Sequence, residues 1–142
     1  MGTSIVSPKS KTLVPDTTSA DDNSIAAAQT PSGASNLTLL ATALTFAPTG
    51  VGLFVTVTGD GATDLRATNF TITGTNALGI SASEVLAGPN GAATVTSTLK
   101  YNTVTQIAVS GGTTTAVRAG NAAGSGGSEP VSYTHLTLPT KA

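Results

Sequence analysis

The sequence has 142 residues, room for one domain and scarcely for two. Only 9% are charged and the formal net charge is −1, so there is no electrostatic footprint for nucleic acid or an anionic membrane surface, both of which need clustered Lys and Arg. Cys is absent, which excludes disulfides, thiol chemistry and cysteine zinc sites, and the redox compartment is not legible.

The first segment, residues 1–35, is rich in Ser and Pro and carries Lys9, Lys11, Asp16, Asp21 and Asp22. Pro8, Pro15 and Pro31 oppose both helix interiors and central strands, so this stretch reads as an extended N-terminal arm. One short helical turn is expected within it at Asp22–Gln29, capped by Asp22 or Asn23 and favoured by three Ala. The N-terminus lacks the apolar run of a signal peptide. Leu37 to Phe46 is the most apolar stretch, but it is far short of the roughly 20 residues that span a bilayer.

From Asn36 the pattern becomes short strands between turn signals. Leu37–Leu39 alternates, and Leu40–Phe46 reads as its continuation or as a second strand. Leu53–Thr58 sets Leu53, Val55 and Val57 on one face and Phe54, Thr56 and Thr58 on the other. Phe54 either packs a second layer of the core or marks a subunit contact, and the core is the preferred reading. Asn69–Thr73 buries Phe70 and Ile72, and Asn76–Gly79 forms a hairpin loop. Ile80–Ala87 changes phase near Glu84, which predicts a bulge, or an edge strand with its charge in water. Gly88-Pro-Asn-Gly91 is the strongest turn signal. Strands follow at Ala93–Ser97, Val104–Val109 and Thr114–Arg118. So many strands leave no room for crossover helices, so the sheets must be antiparallel. The expected fold is all-β, an antiparallel β-sandwich of immunoglobulin-like or jelly-roll-like type over residues 36–118. Its small aliphatic side chains bury modest area, which points to a homo-oligomer stabilised by copies of itself or by partners.

Residues 119–130 read as a flexible Gly/Ser-rich end. Residues 131–142 stand apart: Val131-Ser-Tyr-Thr-His-Leu-Thr-Leu-Pro-Thr140 is what an in-frame transposon-type sequencing adapter encodes, and the segment is set aside as a metagenomic artefact. The only His of the chain, His135, falls in it.

Little remains for catalysis. Without His or Cys the usual general base and thiol nucleophile are missing. The acids are Asp16, Asp21, Asp22, Asp60, Asp64, Glu84 and Glu129, and four of them (Asp16, Asp21, Asp22 and Glu129) lie in segments expected to be flexible. Asp60 and Glu84 could meet only by an accident of the fold, and a two-carboxylate glycosidase site is conceivable on composition alone. Asp60-Gly-Ala-Thr-Asp64 loosely resembles a calcium loop without the closing bidentate Glu, and a polar turn is the competing reading. Asp21-Asp22-Asn23 reads as a cap or solvated turn before it reads as a metal site. Tyr101 is expected at a strand edge, with carbohydrate or partner anchoring as the alternative. No catalytic, cofactor-binding or metal residue is therefore assigned, and the chain is expected not to be an enzyme.

Several segments carry a resemblance. Phe70-Thr-Ile-Thr-Gly-Thr-Asn76, Ser83-Glu-Val-Leu-Ala-Gly-Pro-Asn90, Thr94–Ser97 and Thr103–Ile107 are similar to a recurrent pattern of small tailed-bacteriophage virion structural proteins of the head-decoration or capsid- and tail-associated β-sandwich type. The match spans about residues 68–110. Tyr101-Asn102 stands where that pattern carries two aromatics, and the hairpin tip lacks its acidic residues. The resemblance implies a non-enzymatic subunit that assembles with other virion proteins or with itself, is built in the host cytoplasm and is retained in the virion. The rival reading is a cell-surface adhesin or carbohydrate-binding module.

Overall fold

The computed structural model describes residues 18–123. Eight strands occur among them: β1 (Asp21–Gln29), β2 (Ser35–Asn36), β3 (Leu53–Gly59), β4 (Asn69–Thr75), β5 (Ser81–Ala87), β6 (Thr94–Tyr101), β7 (Thr103–Val109) and β8 (Val117–Asn121). They form two four-stranded sheets, in the orders β1-β8-β3-β6 and β2-β7-β4-β5, and every pairing is antiparallel. The all-β sandwich expected from the alternation is the observed fold.

The pairing has a simple rule. β1 pairs with β8, β2 with β7, β3 with β6 and β4 with β5. The chain is thus one long hairpin whose tip is the β4–β5 turn, rolled so that successive strand pairs alternate between sheets. The contacts β3–β8 and β4–β7 close the roll. This is the strand order of a jelly roll, which decides between the two sandwich types.

The core is the inner face of both sheets. Leu53, Val55 and Val57 of β3 meet Phe70 and Ile72 of β4 and Val104, Ile107 and Val109 of β7, all essentially inaccessible to solvent. Val and Ile suit such positions because branching at Cβ packs well on a pleated surface. Tyr101, at the end of β6, is among the largest fully buried side chains. Asn102 then turns the chain from one sheet to the other within a single residue. Its side-chain amide donates to the Pro48 and Val51 carbonyls at 2.7 and 2.8 Å, and its backbone N–H donates to Thr75 at 2.6 Å. Among the described residues no helix is long and apolar enough to cross a membrane.

Several expectations are corrected. Asp21–Gln29 and Ser35, placed in the arm, belong to strands of the sandwich, and Asp22–Gln29 is not helical: Asp21–Gln29 is an edge strand that buries Ile25 and Ala26 completely. Two irregularities let it follow β8, and they hide its two-residue alternation from a pattern search. The rest of the proposed arm, residues 1–17, lies outside the described residues, as do residues 124–130 of the Gly/Ser-rich end and the adapter-like residues 131–142. Ala119–Asn121 is not a loose end but the second half of β8. Leu40–Phe46 is not a strand: Ala41–Leu44 forms a short 3-10 helix.

Candidate interaction surface

Each acidic side chain that invited a chemical role is held by a neighbour. Asp22 and Asp60 converge on Arg118 of β8: its Nε donates to Asp22 Oδ2 at 2.7 Å, and Nη1 pairs with Asp60 Oδ1. Asp64 takes both arms of Arg66, with Nε and Nη2 at 2.9 and 2.7 Å. Asp21 accepts the Asn23 backbone N–H at 3.1 Å. Asp60 and Asp64 are thus drawn to different guanidinium groups and do not share one cavity. Asp21 and Asp22 belong to β1 and not to a flexible segment. Among the described residues no group of three or more His, Cys, Asp and Glu could hold a metal ion.

Hydrogen bonds from Arg66 hold the Asp64 carboxyl down at about 2. A depressed carboxyl stabilises the fold above its unfolded value and loses that contribution as pH falls through the folded one. This pair is exposed, however, and exposed pairs contribute little. Arg66→Ala is expected to leave the chemical-denaturation midpoint nearly unchanged at pH 7.

Glu84 sits differently from expectation. β5 keeps an unbroken register with β4 over its whole length, so it contains no bulge. β5 is an edge strand, as the alternative reading required, but Glu84 pairs with Ile72 and so lies on the inner face, half-buried and hydrogen-bonded to protein rather than standing free in water. Its carboxylate accepts the Thr98 N–H at 2.9 Å, the Thr98 hydroxyl at 3.0 Å and the Leu99 N–H at 2.9 Å. Those donors are free because β6 carries the irregularity instead: Phe54 opposes Lys100 but Thr56 opposes Thr96. Ser97 Oγ fills the resulting gap by accepting the Val55 N–H at 2.8 Å. One carboxylate therefore ties the edge of one sheet to the edge of the other, and Glu84 and Asp60 serve different partners.

Two aromatic residues are also reassigned. Phe54 lies on the outer face of its sheet, half-buried beneath the Lys100 ammonium 5.2 Å from its ring, and not in the core. Tyr101 does end an edge strand, β6, as expected, but its ring is fully buried and so is not offered to a ligand. Its hydroxyl has no hydrogen-bond partner. Burial, and secondarily the Glu84 charge, push this phenol well above the ordinary tyrosine range. A raised value means the contribution is present below the unfolded pKa of about 10 and is lost as pH rises through the folded one. Tyr101→Phe removes an unpaired buried hydroxyl at almost constant shape, so it is expected to be neutral or to stabilise by up to about 1 kcal/mol at pH 7. The gain over wild type should widen above about pH 10, read from urea midpoints across the alkaline range.

The β4–β5 end of the molecule presents exposed aliphatic side chains. At the β4–β5 turn, Asn76 Oδ1 accepts the N–H groups of Leu78 and Ile80 at 2.9 and 3.0 Å, and Gly79 takes a φ of 79°. This three-residue loop needs a positive φ at Gly79. It raises Leu78 (79% exposed) and Ile80 (58%) into solvent, while Val85 (59%) stands exposed on β5. A groove of about 370 Å³ runs beside the turn, lined by Ala77, Leu78, Ala82, Thr98, Leu99 and Lys100. The outward residues of β4 and β5 are Asn69, Thr71, Thr73, Thr75, Ser81, Ser83, Val85 and Ala87, without a charge among them.

No family model, curated protein or solved structure matches the chain. The geometry therefore carries the functional reading.

Acids and aromatics do not reveal this surface, because it is built from aliphatic side chains. The signal was present in Leu78-Gly79-Ile80, two large aliphatic residues at a turn, where polar residues are usual.

Proposed function

We propose that this chain is a non-enzymatic structural subunit of a tailed-phage virion, capsid-decorating or tail-associated, that acts through protein–protein assembly. The observation that carries the reading is a jelly roll whose carboxylates, among the described residues, each bond a neighbour within the chain while its hairpin tip offers Leu78, Ile80 and the adjoining groove. Exposed aliphatic side chains clustered at one end of a small domain mark a contact surface. Jelly rolls recur in viral capsid subunits, a likeness of fold and not of site. The segment resemblance over residues 68–110 points the same way, and its hairpin is the one that bears the apolar tip.

The test is localisation by immunogold labelling with antibody to the purified chain. Regular decoration of particle heads or tails is the expected result. Label confined to a cell envelope, together with glycan binding, would replace this reading with that of an adhesin or lectin-like module, another setting in which jelly rolls occur.

A further inference from the structure

The edges of the two sheets are not equally protected. β1 is irregular, and the Gln29 side chain mimics a peptide unit along it, accepting the Thr38 N–H at 2.8 Å and donating to the Thr38 carbonyl at 3.0 Å. The Leu40 N–H donates to the Ile25 carbonyl at 2.8 Å, which closes that side further. β2 has two residues. β6 is bulged and gives its N–H groups at Thr98 and Leu99 to Glu84. Among the described residues β5 alone of the four edges is long, regular and uncovered, with seven residues and no Pro, Lys or bulge. Its one charge is turned inward and already bonded.

The direction of its free backbone groups follows from the hairpin. Asn76 N–H donates to Ile80 O and Gly88 N–H to Thr68 O, which marks the even-numbered pairs of β4–β5 as the hydrogen-bonded ones. The intervening residues Ser81, Ser83, Val85 and Ala87 therefore aim their N–H and C=O groups away from β4. Among the described residues nothing pairs with them. An uncovered edge of this kind is a template for another strand.

We propose that β5 pairs antiparallel with β5 of a second copy, joining two sheets into one across a two-fold axis. This adds a contact along the β5 edge to the hairpin-tip surface proposed above and rests on the assembly reading. The strand is suited to itself. With Val85 opposite Val85 of the second copy, Ser83 faces Ala87, and the outward groups of all three exchange hydrogen bonds. The two exposed valines then cover each other. A two-fold register centred on Glu84 would set Glu84 against Glu84, a like-charge pair directly across the strands, and one centred on Ser83 would leave each Val85 opposite Ser81, so the Val85-centred register is the one that covers both valines. Lys, the residue that most often guards edges, occurs among residues 18–123 only as Lys100 on β6. A contact of one strand plus its flanking side chains falls below the roughly 1,000 Å² of a stable interface. The dimer is accordingly weak in free solution and gains strength where copies are held together on a lattice.

The full chain in sedimentation equilibrium between about 10 μM and about 1 mM should show a monomer–dimer equilibrium. Val85→Lys should raise its dissociation constant at least about tenfold while leaving the circular dichroism spectrum intact. Because the chain has no Cys, Val85→Cys gives a clean second measurement. Facing residues in a hydrogen-bonded antiparallel pair have Cα atoms about 5.5 Å apart, within disulfide range. Mild oxidation should therefore cross-link Val85→Cys rapidly and Leu44→Cys, on the exposed 3-10 helix, slowly. A strictly monomeric chain at the highest concentration, a dimer indifferent to Val85→Lys, or equal cross-linking at both positions would each overturn the proposal. Particle labelling is a separate readout, so a monomer that still decorates particles removes this inference and leaves the virion reading standing.

Discussion

Gly120→Ala is expected to destabilise the fold by at least about 3 kcal/mol, lowering Tm by about 12 °C or more. A Cβ at Gly120 would lie 1.8 Å from the Asp21 carbonyl oxygen and 2.5 Å from the Asp22 carbonyl carbon. Both are backbone atoms, so no rotamer change relieves the overlap. The strand β1 must lift away from β8, and three things go with it. Ile25, now fully buried, returns to water, a loss of roughly 1.5–3 kcal/mol. The Asp22–Arg118 pair separates. Asn121, which accepts the Ser24 hydroxyl at 2.7 Å and donates to the Ser19 carbonyl at 2.9 Å, loses both partners while mostly buried. Gly111→Ala is the matched control, since nothing lies within 4 Å of a Cβ there and its φ is not positive. That variant should stay within about 0.5 kcal/mol of wild type, or gain slightly through the unfolded chain. Differential scanning calorimetry of the two variants gives the comparison. If Gly120→Ala melted with wild type, the close crossing of β1 over β8 would be wrong.

This contrast also shows what could be read from residues alone. Alternation of Thr with aliphatic residues revealed β3 and β4, because each turns its aliphatic residues to the core, although Thr56 and Thr58 on the other face of β3 are buried as well. The turns at Asn76–Gly79 and Gly88–Gly91 were legible because their Gly residues have a backbone role: Gly79 and Gly91 take φ of 79° and 68°. β1 was not legible. Its residues Ala26, Ala27 and Ala28 carry helix propensity, and its irregular pairing removes the period of two that marks a strand; tertiary contact overrides both signals. Gly120 and Asn121 looked like the start of a loose tail, since nothing local distinguishes a Gly needed for close approach from one in a linker. The candidate surface was half legible. Leu78 and Ile80 are conspicuous at a turn, but the uncovered edge of β5 depends on which strands lie beside it. That is a property of the roll and not of the segment. Glu84 misled for the same reason. A charge in a strand suggests water, whereas here its partners come from the opposite sheet, fourteen and fifteen residues further along.

Replacing Glu84 is expected to have the second largest effect, about 2 kcal/mol for Glu84→Gln and at least as much for Glu84→Ala. Hydrogen bonds to a charged acceptor contribute more than neutral ones, although partial exposure of this group reduces the sum. The carboxylate offers oxygen on both sides, Oε2 to the Thr98 N–H and hydroxyl and Oε1 to the Leu99 N–H. A glutamine keeps one oxygen and turns an NH2 group toward the other donors, so at least one N–H is left facing a donor. The bulge of β6 would then lose its closure, and Ser97 Oγ, which donates to the Leu99 carbonyl at 2.7 Å while accepting from Val55, would hold it alone. β5 and β6 belong to different sheets and share no backbone ladder, so the damage should be local. Amide hydrogen exchange at Thr98 and Leu99 should rise by one to two orders of magnitude, with Tm falling by about 8 °C. Amides of β3 and β4 should keep their protection relative to the new global stability. A Glu84→Gln variant with wild-type stability and unchanged exchange at Leu99 would free this carboxylate from its structural role. It would then be the one acidic group of the described residues open to a chemical role.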